Sequence, residues 1–168
     1  MTVKLWKVKK SSVHGSGVFA IQDIKKNSKI IEYIGEKVLK AEGDKRSERR
    51  IKKFLDSKTD GSVYVFELNS KYDIDGSPLY NKARYINHSC APNCVVDIID
   101  DRIWIKSIKK IKKGEELNYD YGYEFNKDDF NDHVCRCGSK KCIGFIISSD
   151  DWNKYLKHVS NIIKKRKS

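Results

Sequence analysis

Three cysteines near the C-terminus have a spacing that favours metal binding. Cys135, Cys137 and Cys142 form a C-x-C-x4-C cluster, with Gly138 available for a tight turn. A tetrahedral structural zinc needs four ligands, so the cluster supplies three thiolates and Cys90 is the candidate fourth. Three free thiols in a loop are the alternative, but the spacing favours zinc. If Cys90 binds the same ion, the metal holds the C-terminal segment against the region around Cys90.

A second run that could carry chemistry spans residues 84–94 and reads R-Y-I-N-H-S-C-A-P-N-C. Asn87 and His88 precede Cys90 in this run. A metal bound by Cys90 would therefore bring these two polar side chains next to the C-terminal cysteines, in a pocket made from two distant parts of the chain. Cys94 is the odd cysteine, and we expect it to be a small buried hydrophobic residue.

Tyrosines and glycines provide further candidates. Tyr119 and Tyr121 are two residues apart in a strand-like run, so their side chains should point to the same side. A wall of phenol rings can line a channel for an aliphatic amine, with cation–π attraction at its mouth, although core packing is the default interpretation of each ring. Gly15 and Gly17 let a backbone approach a ligand closely. A lone G-x-G more often marks a plain turn, and the absence of G-x-G-x-x-G argues against a dinucleotide-binding fold.

The composition indicates one small domain with a dense charged surface. The chain has 168 residues, 35% of them charged and 39% hydrophobic, and its formal net charge is +12. This charge favours acidic partners such as nucleic acid, which would make a weak contact with the basic surface. Solubility alone explains the net charge equally well. We expect a monomer. We also expect no membrane contact, because neither a signal peptide nor a membrane span is evident. We also expect a reducing intracellular compartment, which is cytoplasmic, nucleoid or nuclear.

Short strands and two helices are predicted to position these residues. Alternating, β-branched and aromatic runs predict strands at 5–9, 29–34 and 62–68, a hairpin of 93–100 and 102–108 with Asp100 and Asp101 at its turn, and a strand-like run at 117–121. A helix is predicted at 39–55, and a second one begins near Trp152 with Ser149 or Asp150 as its cap. The chain should end in a basic tail at 164–167. The predicted class is mainly β with short helices.

In chain order, these motifs resemble those of SET-domain protein-lysine N-methyltransferases that carry a zinc-binding post-SET segment. Residues 15–20 resemble the G-x-G opening, 33–36 the Y-x-G element, 64–66 the strand whose tyrosine lines the lysine channel, 84–93 the R-F-x-N-H-S-C-x-P-N signature, 114–121 the run G-E-E-L-x-Y-D-Y, and 135–144 the post-SET cysteine motif with one residue fewer after Gly138. The resemblance covers residues 4–147, and the signature together with the cysteine cluster is highly specific.

The resemblance implies a fold and an activity. The fold is a β-clip-like SET domain at 4–124 with a C-terminal pseudoknot, followed by a post-SET zinc segment at 133–149 and a C-terminal helix with a basic tail at 150–168. The activity is methyl transfer from S-adenosylmethionine to the side-chain amine of a lysine in a protein, either a histone or another basic protein. The main product is expected to be mono-methyl-lysine.

The resemblance also assigns site residues. Tyr121 is the central catalytic residue, while Tyr64 lines the lysine channel and Tyr119 restricts its volume. Zinc is held by Cys90, Cys135, Cys137 and Cys142. Contacts with S-adenosylmethionine are implied for His14, Gly15, Ser16, Gly17, Tyr33, Arg84, Asn87, His88, Tyr121, Cys137 and Phe145, with the ring of Phe145 packed on the adenine.

The chain departs from the family pattern at a few places. Tyr80 replaces the glycine that usually precedes Asn81, Tyr85 replaces a phenylalanine, and no cysteine-rich segment stands before Cys90. The insert at 37–62 is short, so the substrate is not specified. The alternative function is a catalytically inactive zinc-containing module that binds nucleic acid or a peptide.

Overall fold

The computed structural model describes residues 4–57, 63–128 and 130–165. The mainly β architecture with short helices is confirmed, and no helix in these three ranges combines the length and apolarity needed to cross a bilayer. The elements in chain order are β1 (Trp6–Lys10), β2 (Ser16–Ala20), β3 (Lys29–Tyr33), β4 (Glu36–Leu39), α1 (Lys40–Ser57), β5 (Val65–Glu67), β6 (Tyr72–Asp75), β7 (Asn87–His88), β8 (Cys94–Ile99), β9 (Arg102–Ser107), β10 (Asn118–Tyr119) and α2 (Trp152–Lys165).

Several small sheets surround one apolar core. β1 pairs with β2, β9 lies between β3 and β8, and β6 lies between β4 and β5, all antiparallel. β7 and β10 form a parallel pair, which is where the predicted pseudoknot would lie. The alternation of apolar and polar residues along β9 turns Ile103 and Ile105 inward, where they are at most 1% exposed together with Ile24, Ile111 and Leu117.

The predicted hairpin is confirmed as β8 and β9. Its turn residues Asp100 and Asp101 have φ angles of 53° and 54°. A two-residue turn with both φ angles positive matches the right-handed twist of the flanking strands, and aspartate tolerates this conformation better than most residues. The turn therefore sets the register in which Ile98 lies opposite Ile103.

Three expectations were partly wrong. The strand predicted at 62–68 is reduced to Val65–Glu67, which pairs with β6 from Val65 opposite Asp75 to Glu67 opposite Asp73. Ser62 lies outside the described residues. The N-cap is Ser148 rather than Ser149 or Asp150, since a short 3-10 turn precedes α2 and the Ser148 side chain accepts from the Asp150 N–H. Of the predicted basic tail, Lys164 and Lys165 lie in α2, and residues 166–167 lie outside the described part.

Candidate active site and metal centre

The four predicted metal ligands meet in space. The sulfur atoms of Cys90, Cys135, Cys137 and Cys142 all lie within 4.8 Å of one another. Cys90 and Cys135, which are 45 residues apart, have their Sγ atoms 3.8 Å apart. A tetrahedron of thiolates at about 2.3 Å from a zinc ion has edges of about 3.8 Å. The cluster can therefore hold a metal ion, and its donor type and spacing fit zinc.

The thiols differ in how readily they lose a proton. Burial raises the pKa of Cys90 to about 11, and burial also raises the pKa of Cys135. Burial acts in the same direction on Cys137, but hydrogen bonds from the backbone N–H groups of Cys90 and Ser139 outweigh it and lower the pKa to about 7. Cys94 stands apart from the cluster. It is 1% exposed in the core and donates to the Asn93 side chain, so the expectation of a buried hydrophobic residue is confirmed.

A hydrogen-bond network joins residues 14–17, which we call the glycine-containing loop, to the signature run at 84–93. The side-chain amide of Asn87 donates to the backbone carbonyls of His14 and Ser16, at 3.4 and 3.1 Å, and to Oε1 of Glu116 at 2.7 Å. The hydroxyl of Ser11 donates to the same Glu116 carboxylate at 2.8 Å. A Cβ at Gly17 would come within 2.2 Å of Glu116 Oε1, so glycine is required there for close approach.

His88 connects this network with the thiol cluster. The backbone N–H of Tyr121 donates to His88 Nδ1 at 3.2 Å, and His88 Nε2 lies 3.5 Å from the sulfur of Cys90. Burial lowers the pKa of His88, although Asp120 opposes the shift. The ring is therefore neutral at physiological pH. Because Nδ1 accepts, the ring proton is on Nε2 and faces the Cys90 sulfur.

An aromatic cluster lies on the other side of Tyr121. Ring centroids are 5.0 Å apart between Tyr119 and Tyr121, which confirms that both side chains point to one side. Phe66 is 5.9 Å from Tyr119, and Tyr123 is 5.9 Å from Tyr121. Burial raises the pKa of Tyr119, Tyr121 and Tyr123, so these phenols stay protonated and neutral. The hydroxyl of Tyr121 donates to the carbonyl of Ile86 at 3.1 Å.

Three further predicted residues lie beside this aromatic cluster: Tyr33, Tyr64 and Arg84. The hydroxyl of Tyr33 donates to the backbone carbonyl of Tyr64 at 2.9 Å, and its ring packs on Phe66 with centroids 4.5 Å apart. The guanidinium of Arg84 lies over the Tyr64 ring at 4.0 Å and donates to the Ser77 carbonyl. Among the predicted cofactor residues, Tyr33 and Arg84 thus contact the tyrosine cluster. Asn87 instead contacts the glycine-containing loop, through the carbonyl of His14.

Phe145 belongs to a separate aromatic cluster. Its ring is 4.9 Å from that of Phe130 and 5.9 Å from that of Tyr155 on α2. Phe125 and His158 complete the cluster, with ring centroids 5.5 Å apart. The C-terminal helix therefore contacts Phe145, the residue predicted to pack on adenine, through Tyr155.

A cleft of about 440 Å³ opens beside Tyr121. Apolar side chains line most of it, and Asp120 and Ser149 contribute polar groups. Its lining includes Phe66, Pro92, Val95, Val96, Ile108 and Gly122. Of the tyrosines in the aromatic cluster, Tyr121 lines this cleft.

Comparisons with known proteins agree on one family. The family model of the SET domain matches residues 15–122. Histone-lysine N-methyltransferase 2D of Homo sapiens is 38% identical over 137 residues, which is 79% of this chain. An H3 lysine-4 specific histone-lysine N-methyltransferase of Emericella nidulans is 39% identical over 141 residues, or 82% of the chain. Histone-lysine N-methyltransferase trr of Drosophila melanogaster is 42% identical over 137 residues, or 79% of the chain.

The chain belongs to the SET-domain family. This confirms the family resemblance and the SET fold. The chain spans only a small part of these relatives: 2% of the human protein, 11% of the Emericella protein and 5% of the Drosophila protein. SET methyltransferases use S-adenosylmethionine.

Within this SET domain, the structure adds residues that the sequence motifs did not single out. Glu116 joins Asn87 to Ser11, and the only local signal was its place in the G-E-E run. Asp120 accepts from the Ser149 backbone N–H at 2.8 Å and so ties the tyrosine run to the start of the C-terminal helical region. No pattern in the sequence pointed to Phe130 or Tyr155 as neighbours of Phe145.

Proposed function

We propose that this SET domain transfers a methyl group from S-adenosylmethionine to the side-chain amine of a lysine in a protein, either a histone or another basic protein. The observation that carries the proposal is the position of Tyr121. Its backbone bonds His88, which contacts the thiol cluster, while its ring and hydroxyl belong to the aromatic cluster at the cleft. Relatives named histone-lysine N-methyltransferases support a lysine as the acceptor.

The residues around the glycine-containing loop fit S-adenosylmethionine. A Cβ at Gly15 would meet no atom within 4 Å, so the loop has an uncovered backbone next to Asn87. We assign His14, Gly15, Ser16, Gly17, Asn87 and His88 to cofactor binding, with Phe145 as the adenine partner. Tyr33 and Arg84 would contribute from the side of the lysine channel, because that is where their side chains make their contacts.

We assign zinc to the thiol cluster as a structural ion. Four thiolates leave no open position for a substrate, which is the pattern of structural rather than catalytic zinc. The ion would hold residues 135–142 against Cys90, and His88 Nε2, 3.5 Å from the Cys90 sulfur, would donate to that sulfur. Arg136, Lys140 and Lys141 stand near the cysteines in sequence and would offset the negative charge.

The chemistry is a direct displacement that depends on in-line positioning. S-adenosylmethionine supplies an electrophilic methyl group on a sulfonium. Tyr121 would orient the reacting groups with a hydroxyl that burial keeps protonated, and no phenolate is available as a general base. Tyr64 and Tyr119 would line the channel, and their rings would keep water away from the amine.

The substrate lysine must lose its proton before it can attack. Its reference pKa is about 10.4, so roughly one molecule in a thousand is neutral near pH 7.4. Burial among the tyrosine rings disfavours the ammonium form. The permanently charged Arg84, 4.0 Å from the centre of the Tyr64 ring, disfavours it further. The chain thus promotes deprotonation without a dedicated base.

We propose mono-methyl-lysine as the main product. Tyr119 is 5% exposed and is held between Phe66 and Tyr121. Its protonated hydroxyl can hold a water molecule in the space that a methylated amine would need for a second round. The side chain would therefore limit the volume of the channel.

We propose that the monomer is active. We keep the division into a SET domain at 4–124, a post-SET zinc segment at 133–149 and a C-terminal helix with its tail at 150–168. A reducing intracellular compartment would keep the four thiols available for metal.

The deciding experiment is incubation of the purified chain with S-adenosylmethionine carrying a labelled methyl group and a panel of lysine-containing proteins, with core histones included. We expect label on lysine, located by mass spectrometry, and at least roughly 100-fold less with Tyr121→Phe. Binding of the cofactor product without transfer to any protein would favour the inactive module instead.

A further inference from the structure

Seven exposed lysines lie on two segments that are far apart in sequence and meet in the fold, and we call this group the lysine face. They are Lys25, Lys26, Lys29, Lys109, Lys110, Lys112 and Lys113. Ile24 and Ile111 join the two segments through reciprocal backbone hydrogen bonds of 2.8 and 2.9 Å, and both side chains are buried. Because neighbours alternate in direction along extended chain, Lys25 and Lys110 both point outward beside this bridge.

Few acids neutralise the lysine face. Lys110 pairs with Asp23 at 2.8 Å. The other six lysines form no ion pair with an acid in residues 4–57, 63–128 or 130–165. Lys29 instead lies over the ring of Trp104 at 5.2 Å. The face therefore presents a concentrated positive potential to a partner.

The lysine face lies next to the cleft beside Tyr121. Ile108 lines that cleft, and the lysine run begins at the next residue, Lys109. A partner bound at the face would therefore run close to the place where a substrate enters. The second segment, which carries Lys25 and Lys26, lies beside the run because Ile24 and Ile111 are bridged.

We propose that the lysine face binds the sugar-phosphate backbone of duplex nucleic acid, and that this contact recruits a basic protein substrate held on the same duplex. The proposal rests on the proposed lysine methyltransfer. A chain with net charge +12 repels a basic protein in free solution. A shared polyanion removes this repulsion, because it attracts both proteins and brings them together.

The chemistry of the face favours nucleic acid over other acidic partners. Protein interfaces rely on aromatic and apolar anchors, and this face offers lysines with only Ile108 exposed among them, at 40%. Single-stranded nucleic acid is held largely by stacking on free aromatic rings, and the ring of Trp104 is covered by Lys29 and Arg102. Phosphates in a duplex need only cations placed along a surface.

Binding is tested by fluorescence anisotropy with a short labelled DNA duplex of arbitrary sequence. Lys25, Lys26, Lys109 and Lys112 are changed together to glutamine. The matched control changes Lys7, Lys10, Lys45 and Lys52 to glutamine, which are exposed on β1 and α1, so both variants have a net charge of +8 instead of +12. About four phosphate contacts predict an affinity loss of roughly 100-fold between about 50 and 200 mM salt.

We expect the lysine-face variant to lose most of the duplex affinity and most of the salt dependence, while the control variant keeps both. Equal losses in the two variants would show that net charge, and not this face, drives the binding. Binding to vesicles of anionic lipid without binding to the duplex would also overturn the proposal.

Recruitment is tested by turnover on core histones with and without duplex DNA, and on a short lysine peptide. Duplex should raise turnover of the basic protein by the unmodified chain and the control variant but not by the lysine-face variant. All three should act equally on the peptide. Duplex binding is measured without cofactor, so an inactive chain that binds would refute the methyltransferase proposal, whereas an active chain that does not bind would refute recruitment alone.

Discussion

The two halves of the proposed site are stabilised by different forces. The SET core carries the glycine-containing loop, Asn87 and the tyrosines, and it packs around fully buried apolar side chains such as Ile105 and Leu117. The segment at 133–149 buries only Cys135 and Ile147, and its one strand-like contact is the bridge between Val134 and Phe145. Too little apolar surface is buried there for the segment to order itself. One half should therefore fold on its own, whereas the other should depend on metal.

Metal removal should therefore have the largest effect and should separate the two halves. Chelation should abolish activity and weaken S-adenosylhomocysteine binding by roughly 100-fold or more, because structural zinc sites contribute about 10–16 kcal/mol of folding free energy in small peptides. Hydrogen exchange should show lost protection at 133–147 and retained protection in β3 and β9.

Two cysteine variants make this prediction specific. Cys142→Ser should lower the zinc content, which mass spectrometry of metals should measure as about one ion per unmodified chain. Cys94→Ala should keep the full zinc content, because Cys94 lies outside the cluster. Active protein without zinc would show that the C-terminal half does not need the ion.

Tyr121→Phe tests the point where the two halves meet. Loss of one donor at a reacting centre lowers kcat by roughly 100- to 1,000-fold. The phenyl ring still packs, so calorimetric binding of S-adenosylhomocysteine and the melting temperature should stay close to their original values. Tyr80→Phe removes an equivalent hydroxyl from a side chain that is 60% exposed, and it should leave kcat unchanged. Normal turnover by Tyr121→Phe would rule out the central role of Tyr121.

Glu116→Ala tests the core half alone. The carboxylate accepts from Ser11 and Asn87, and hydrogen bonds to charged groups contribute about 1.5–3 kcal/mol, so cofactor binding should weaken by roughly 10- to 100-fold. Zinc content should not change. Glu115→Ala, at an exposed neighbouring position, is the matched control and should bind normally. Equal binding by the two variants would mean that the network does not organise the loop.

Tyr119→Phe should have the smallest effect on rate and a clear effect on product. Loss of the hydroxyl should loosen the water molecule that limits the channel, so mass spectrometry should detect more di- and tri-methyl-lysine on a substrate peptide. Zinc content and cofactor affinity should stay unchanged. If the unmodified chain already gives mainly tri-methyl-lysine, Tyr119 does not limit the channel.

Local features of the structure followed from the sequence because they depend on neighbouring residues. The turn at Asp100 and Asp101 needs two residues that tolerate positive φ, and the helical pattern of α2 needs only its own apolar spacing. The strand at 62–68 was predicted too long because its end depends on β6, a strand that the sequence pattern did not reveal. The cap at Ser148 was missed because a 3-10 turn precedes α2.

The sequence by itself determined the mainly β class, the hairpin register, the family and the cysteine spacing, since each depends on residue types at short separations. Only the tertiary structure decided that Glu116 joins Asn87 to Ser11, that Arg84 covers Tyr64, and that Phe130 packs on Phe145. These contacts connect segments that lie far apart along the chain. They form because the whole core packs in one arrangement, and local propensity carries no information about such distant pairs.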